Sequence, residues 1–138
     1  MNRSLSRIAF VGLILFLVAP FVPRAAESAT GTAAPKVVSL EPSGKNYTPV
    51  ITGPPESFKM RSGLVVLSPG KSVGKHSTER NEELLVVLDG QGEMTFRDGS
   101  KLPVKANSAV YCPPETEHNV TNTGAGVLRY VYVISNAK

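Results

Sequence analysis

The sequence has 138 residues, with 15 Lys and Arg against 11 Asp and Glu, a net charge of +4, and one cysteine. That length gives room for one domain and not two. The lone Cys112 excludes an internal disulfide, and no cluster of Lys and Arg with interleaved aromatics marks a nucleic-acid surface.

Arg3 and Arg7 precede an uncharged apolar run from Ile8 to Val22, and small residues follow at Ala25, Ala26, Ser28 and Ala29. A basic start, a short apolar centre and a small-residue exit describe a secretory signal peptide over residues 1–28, with cleavage after Ser28 or Ala29. The alternative is an uncleaved anchor. A spanning helix needs about 20 apolar residues, whereas this run has 15 and contains Pro20. The expectation is therefore an exported protein, periplasmic or extracellular, with no stable membrane anchoring after cleavage. Loss of residues 1–28 removes Arg3, Arg7, Arg24 and Glu27, leaving 12 Lys and Arg against 10 Asp and Glu, a net +2. Half of the net positive charge thus lies in the targeting segment.

Residues 29–36 are small and uncharged up to Lys36 and read as a flexible leader. Between Val37 and Phe58, Pro42, Pro49, Pro54 and Pro55 interrupt short apolar pieces. Proline cannot donate to a strand ladder, so this stretch reads as an N-terminal arm with one or two short edge strands. From residue 59 to 138 the rhythm is that of a β domain. The runs Ser62–Leu67, Glu83–Leu88, Glu93–Arg97, Lys101–Lys105, Ser108–Cys112, His118–Thr121 and Val127–Ile134 alternate with turns rich in Gly, Pro, Asp and Asn. Strands at this spacing predict an all-β sandwich or barrel, and Asp98-Gly99-Ser100 predicts a hairpin between its flanking runs. No long apolar pattern of period 3.6 predicts a helix.

His76, Glu83 and His118 stand out at strand ends, and they include both histidines of the protein. Two imidazoles and a carboxylate suit one divalent ion, Fe, Mn, Zn, Ni or Cu, with coordination positions left open. The alternative is a metal-free polar cluster satisfied by mutual hydrogen bonds. Thr78, two residues after His76, shares its face on an extended strand. Leu85, Val87, Val110 and Val120 are expected on the inner face, and Tyr111, Tyr130 and Tyr132 as core or interface residues. Cys112 reads as a small buried hydrophobe, or else as a thiol facing the cavity, able to ligate a metal or react.

These residues carry a resemblance to the cupin family. Its first motif reads here as Gly70, five residues, His76-Ser77-Thr78, four residues, Glu83, six residues, Gly90. The second reads as Asn107, five residues, Pro113-Pro114-Glu115, two residues, His118, three residues, Asn122. Three positions depart from the family pattern: Thr78 replaces a histidine ligand, and Asn107 and Glu115 replace turn glycines. The resemblance implies a cupin-type jelly-roll (double-stranded β-helix) barrel of six to ten strands, a metal on His76, Glu83 and His118, and a homodimer paired through N-terminal strands. Thr78 and Cys112 are possible additional site residues. No catalytic residue can be named. A metal-dependent oxygenase, isomerase or lyase acting on a small organic molecule is one expected function. A non-catalytic module that binds a small-molecule ligand, with a degenerate metal-free site, is the other.

Overall fold

The computed structural model describes residues 33–137. The expected targeting segment and residues 29–32 of the leader lie outside the described residues. All regular structure among the described residues is strand: β1 (Tyr47–Ile51), β2 (Met60–Leu67), β3 (Asn81–Asp89), β4 (Gln91–Phe96), β5 (Lys101–Lys105), β6 (Ser108–Cys112), β7 (His118–Asn122) and β8 (Leu128–Asn136). They form a five-stranded sheet in the order β1-β2-β8-β3-β6 and a three-stranded sheet in the order β5-β4-β7. Every pairing is antiparallel.

The arm contributes one strand, β1, at the sheet edge. Pro49 lies within it, where the register slips between Pro49 and Ile51, as a residue without an N–H requires. Further back the arm has no regular structure. Arg129 Nη2 donates to Leu40 O at 3.0 Å and Val66 N to Asn46 O at 2.9 Å, which ties it to the barrel.

Period-two alternation sends one face of each strand into the space between the sheets. Val65, Leu67, Leu85, Val87, Val110, Leu128 and Tyr130 from the larger sheet meet Met94, Val104 and Val120 from the smaller one in a single core. Leu85, Val87, Val110 and Val120 thus lie inside, as expected. Tyr130 belongs to the core and Tyr132 packs against it. Tyr111 is outside, 54 % exposed, and donates to Glu82 Oε2.

Three inward-facing rungs run across β2, β8, β3 and β6. Register places Val65, Tyr130, Val87 and Ser108 on one, and Gly63, Tyr132, Leu85 and Val110 on the next. The third, nearest the mouth, is Arg61, Ile134, Glu83 and Cys112. The charged side chains of these rungs, Arg61 and Glu83, therefore gather at one end of the stack.

The turns follow their residue types. Asp98 Oδ1 accepts from Ser100 N and Oγ in the β4–β5 hairpin. These two bonds hold the Asp98 carboxyl below its ordinary pKa. Gly90, between β3 and β4, has φ 77°, and a Cβ there would lie 2.3 Å from Val127 O. No other residue type fits.

Candidate metal centre

The segment after Gly70 runs alongside β7 without being a full strand. Gly70 N donates to Asn122 O, Val73 N to Val120 O, and His76 N to His118 O, while His118 N returns a bond to His76 O. A reciprocal backbone pair places the two residues directly opposite each other. Their rings accordingly meet with centroids 4.5 Å apart, tilted by 57°. Glu83 arrives from β3 in the facing sheet, and its Oε2 lies 3.1 Å from His118 Nε2. One potential ligand atom from each of His76, Glu83 and His118 lies within 4.8 Å of the others. Glu83 and His118 are buried and His76 is exposed at the mouth.

The hydrogen bonds on the far side of each ring assign the tautomers. His118 Nδ1 is 3.0 Å from Thr116 O, and His76 Nδ1 is 2.9 Å from Gly74 O. A carbonyl can only accept, so both Nδ1 atoms carry the proton. In the neutral rings Nε2 then holds a lone pair. That of His118 faces the Glu83 carboxylate in a space where neither Nε2 nor Oε2 has a partner apart from the other. Two acceptors facing each other at that distance are stable only with a positive charge between them, a proton or a metal ion. Imidazoles whose Nδ1–H is fixed by a backbone carbonyl are the usual arrangement of metal-binding histidine.

Burial of His118 works against its protonation, but the Glu83 hydrogen bond, the Thr116 carbonyl and the Glu83 charge together raise its pKa above the ordinary value. Without metal, a proton between His118 Nε2 and Glu83 Oε2 would satisfy both atoms.

Thr78 is buried, yet its hydroxyl donates to Asn81 O at 2.9 Å and it is not among the residues lining the cavity. It closes the loop before β3. Cys112 is wholly buried, with Sγ 3.1 Å from His118 Nδ1. It therefore backs the imidazole on the side away from Nε2. Burial first, and then the Glu83 charge, push its thiol up to about 11, so it stays protonated at neutral pH.

The cluster opens into a cavity of about 520 Å³ whose walls include Tyr47, Arg61, Val65, Val120, Tyr130, Tyr132 and Ile134. Tyr47 and Tyr132 stack with centroids 6.1 Å apart and share a hydroxyl hydrogen bond of 2.9 Å. Gly63 makes room for them, since a Cβ there would lie 2.6 Å from Tyr47 Cε2. Neither Arg61 nor Tyr47 stands out in the sequence as a site residue. Alternation back from Leu67 and Val65 puts Arg61 on the inner face and could have found it, whereas Tyr47 enters through a pairing that only the fold reveals. A second, more open groove of about 660 Å³ includes Glu79, Arg97, Asp98 and Glu117. Two of its charges are already committed, Glu117 to Arg97 and Asp98 to Ser100.

Known proteins share this architecture. The chain is 36% identical over 69 residues to an oxalate-binding protein of Thermotoga maritima, a stretch covering 49% of this chain and 55% of that one. It thus spans about half the length of that curated relative. A Thermotoga maritima structure described as a predicted oxalate decarboxylase superposes with a TM-score of 0.60 at 27% identity, over 65% of this chain and 78% of that one. A cupin 2 conserved barrel domain protein from Salinispora arenicola superposes with a TM-score of 0.60 at 22% identity, over 74% and 92% of the two chains. Residues 63–134 match the Cupin_2 family model, described as a cupin domain, and the chain belongs to that family.

Proposed function

We propose that this chain is a small-ligand-binding cupin that holds one divalent metal ion on His76, Glu83 and His118 and offers the ion's open positions to a small organic acid. The observation that carries this reading is the buried pair of unpartnered acceptors, Glu83 Oε2 and His118 Nε2, on rings whose other nitrogens are already fixed. Fe, Mn, Zn, Ni and Cu all accept such a donor set. When bound, the ion would supply Lewis acidity and anchor an anionic ligand. The name of the Thermotoga maritima relative, an oxalate-binding protein, supports a short dicarboxylate as that ligand.

Binding is favoured over proton-transfer catalysis by the rest of the cavity. Burial raises the Tyr130 and Tyr132 hydroxyl pKa values, with neighbouring Tyr and Glu83 groups adding to it. These hydroxyls keep their protons at neutral pH and cannot serve as a base.

Elemental analysis of the purified protein tests the reading. One ion per chain is expected in the wild type and none in His118→Ala. Metal that persists in His118→Ala would show that other residues bind it. A wild type free of metal would leave the trio as a protonated hydrogen-bonded cluster.

A further inference from the structure

Resting on the metal-centre reading, we propose that Arg61 sets the cavity's ligand class. Its guanidinium receives the carboxylate oxygens that a short dicarboxylate turns away from the ion, selecting dianionic over monoanionic acids.

Arg61 shares the inward rung of Ile134 and Glu83, one strand removed from Glu83. Two strand spacings of about 4.8 Å put their Cα atoms roughly 10 Å apart on the same side of the sheet. It lines the same cavity as the three candidate ligands, and no other Lys or Arg does so among the described residues. It has no ion pair or hydrogen bond there, and its charge is felt by the neighbouring Tyr132 hydroxyl. Every other inner-face residue of β2 for which alternation matters, Gly63, Val65 and Leu67, is buried and apolar. A cation at the fourth such position, exposed at the mouth, therefore has no packing role.

Charge balance gives it one. A divalent ion with neutral His76 and His118 and an ionised Glu83 carries one net positive charge, which a monocarboxylate neutralises. A dicarboxylate leaves one negative charge over, and Arg61 is the cation placed to meet it. Guanidinium and carboxylate match in geometry as well as charge.

The test is calorimetric titration of oxalate, malonate and acetate into full-length protein loaded with Mn(II), comparing wild type, Arg61→Leu and Arg61→Lys. Loss of charge-assisted bonds should weaken oxalate and malonate by about 10- to 100-fold in Arg61→Leu. Acetate affinity and the metal-to-protein ratio should not change, and Arg61→Lys should recover part of the loss. Dicarboxylate affinity that survives Arg61→Leu at full metal loading overturns the role of Arg61 alone. So does a metal-loaded wild type that binds acetate as tightly as oxalate. A wild type that takes up no Mn(II) overturns the metal centre and this inference together.

Discussion

Two buried polar side chains lie four residues apart on the inner face of β7, and their surroundings differ. Asn122, at the closed end, is fully buried and its amide is saturated. Nδ2 donates to Leu67 O and Gly126 O at 2.8 Å each, and Oδ1 accepts from Gly124 N at 2.9 Å. His118, at the open end, is 1 % exposed, and its Nε2 has no hydrogen-bond partner. Buried polar groups are normally paired. Asn122 ties the end of β2 to the β7–β8 loop and needs nothing further, whereas His118 and Glu83 need a cation between them. The strand that closes one end of the barrel leaves the other end chemically open.

The largest expected effect breaks the closed end. Asn122→Ala would leave the buried Leu67 carbonyl without its donor and remove the part-buried bonds to Gly126 O and Gly124 N, at about 1–3 kcal/mol per lost partner with partial relaxation. A loss of roughly 4 kcal/mol in denaturant unfolding is expected, the same with and without added metal. A loss below 1 kcal/mol would mean that the loop over Gly124 and Gly126 is not held by this amide.

The open end should respond to metal and pH instead. In chelator-treated protein the His118 pKa is raised. A group whose folded pKa is raised contributes stability that is fully present below its unfolded value, about 6.5. That contribution is lost as pH rises through the folded value. Metal competes with the same proton, so stabilisation by metal should grow over the same rise in pH. At a hundredfold excess over Kd it amounts to about 2.7 kcal/mol. Melting temperatures of chelated and metal-loaded protein should therefore diverge as pH increases. Parallel curves would argue against a shared proton and metal site.

Much of this contrast was legible in the chain because turns and ligands are set by local chemistry. The β5 and β6 bounds agree with the runs Lys101–Lys105 and Ser108–Cys112, β2, β3, β4, β7 and β8 differ from theirs by one or two residues at one or both ends, and β1 falls in the arm, for which the sequence sets no strand bounds. His76, Glu83 and His118 stand out in the sequence as ligand-type side chains at strand ends and by the motif resemblance, and one potential ligand atom from each lies within 4.8 Å of the others. Cys112 and Thr78 were singled out too. Their partners, His118 Nδ1 and Asn81 O, depend on side-chain directions that spacing does not contain. Arg61 could have been found by alternation along β2, whereas Tyr47 is notable only through the non-local β1–β2 register that brings it beside the centre.

The smallest expected effect concerns a turn beside the open end. The motif positions held by glycine in the family but by Asn107 and Glu115 here are both left-handed, with φ of 62° and 59°. Asn tolerates that region through its short polar side chain, but for Glu the Cβ crowds the following carbonyl at about 1–2 kcal/mol. Glycine would relieve the crowding, at an entropic cost of about 0.5–1 kcal/mol in the unfolded chain. Glu115→Gly should therefore stabilise the protein by roughly 0.5–1 kcal/mol, read as a higher denaturation midpoint. Asn107→Gly should gain less. The Glu115 backbone N–H donates to Glu79 O at 2.6 Å, a bond that the substitution keeps, so the loop leading to Thr116 and His118 should hold its course. Metal stoichiometry should then match that of the wild type. A lower midpoint would show that the Glu115 side chain contributes more to the loop than its backbone strain costs.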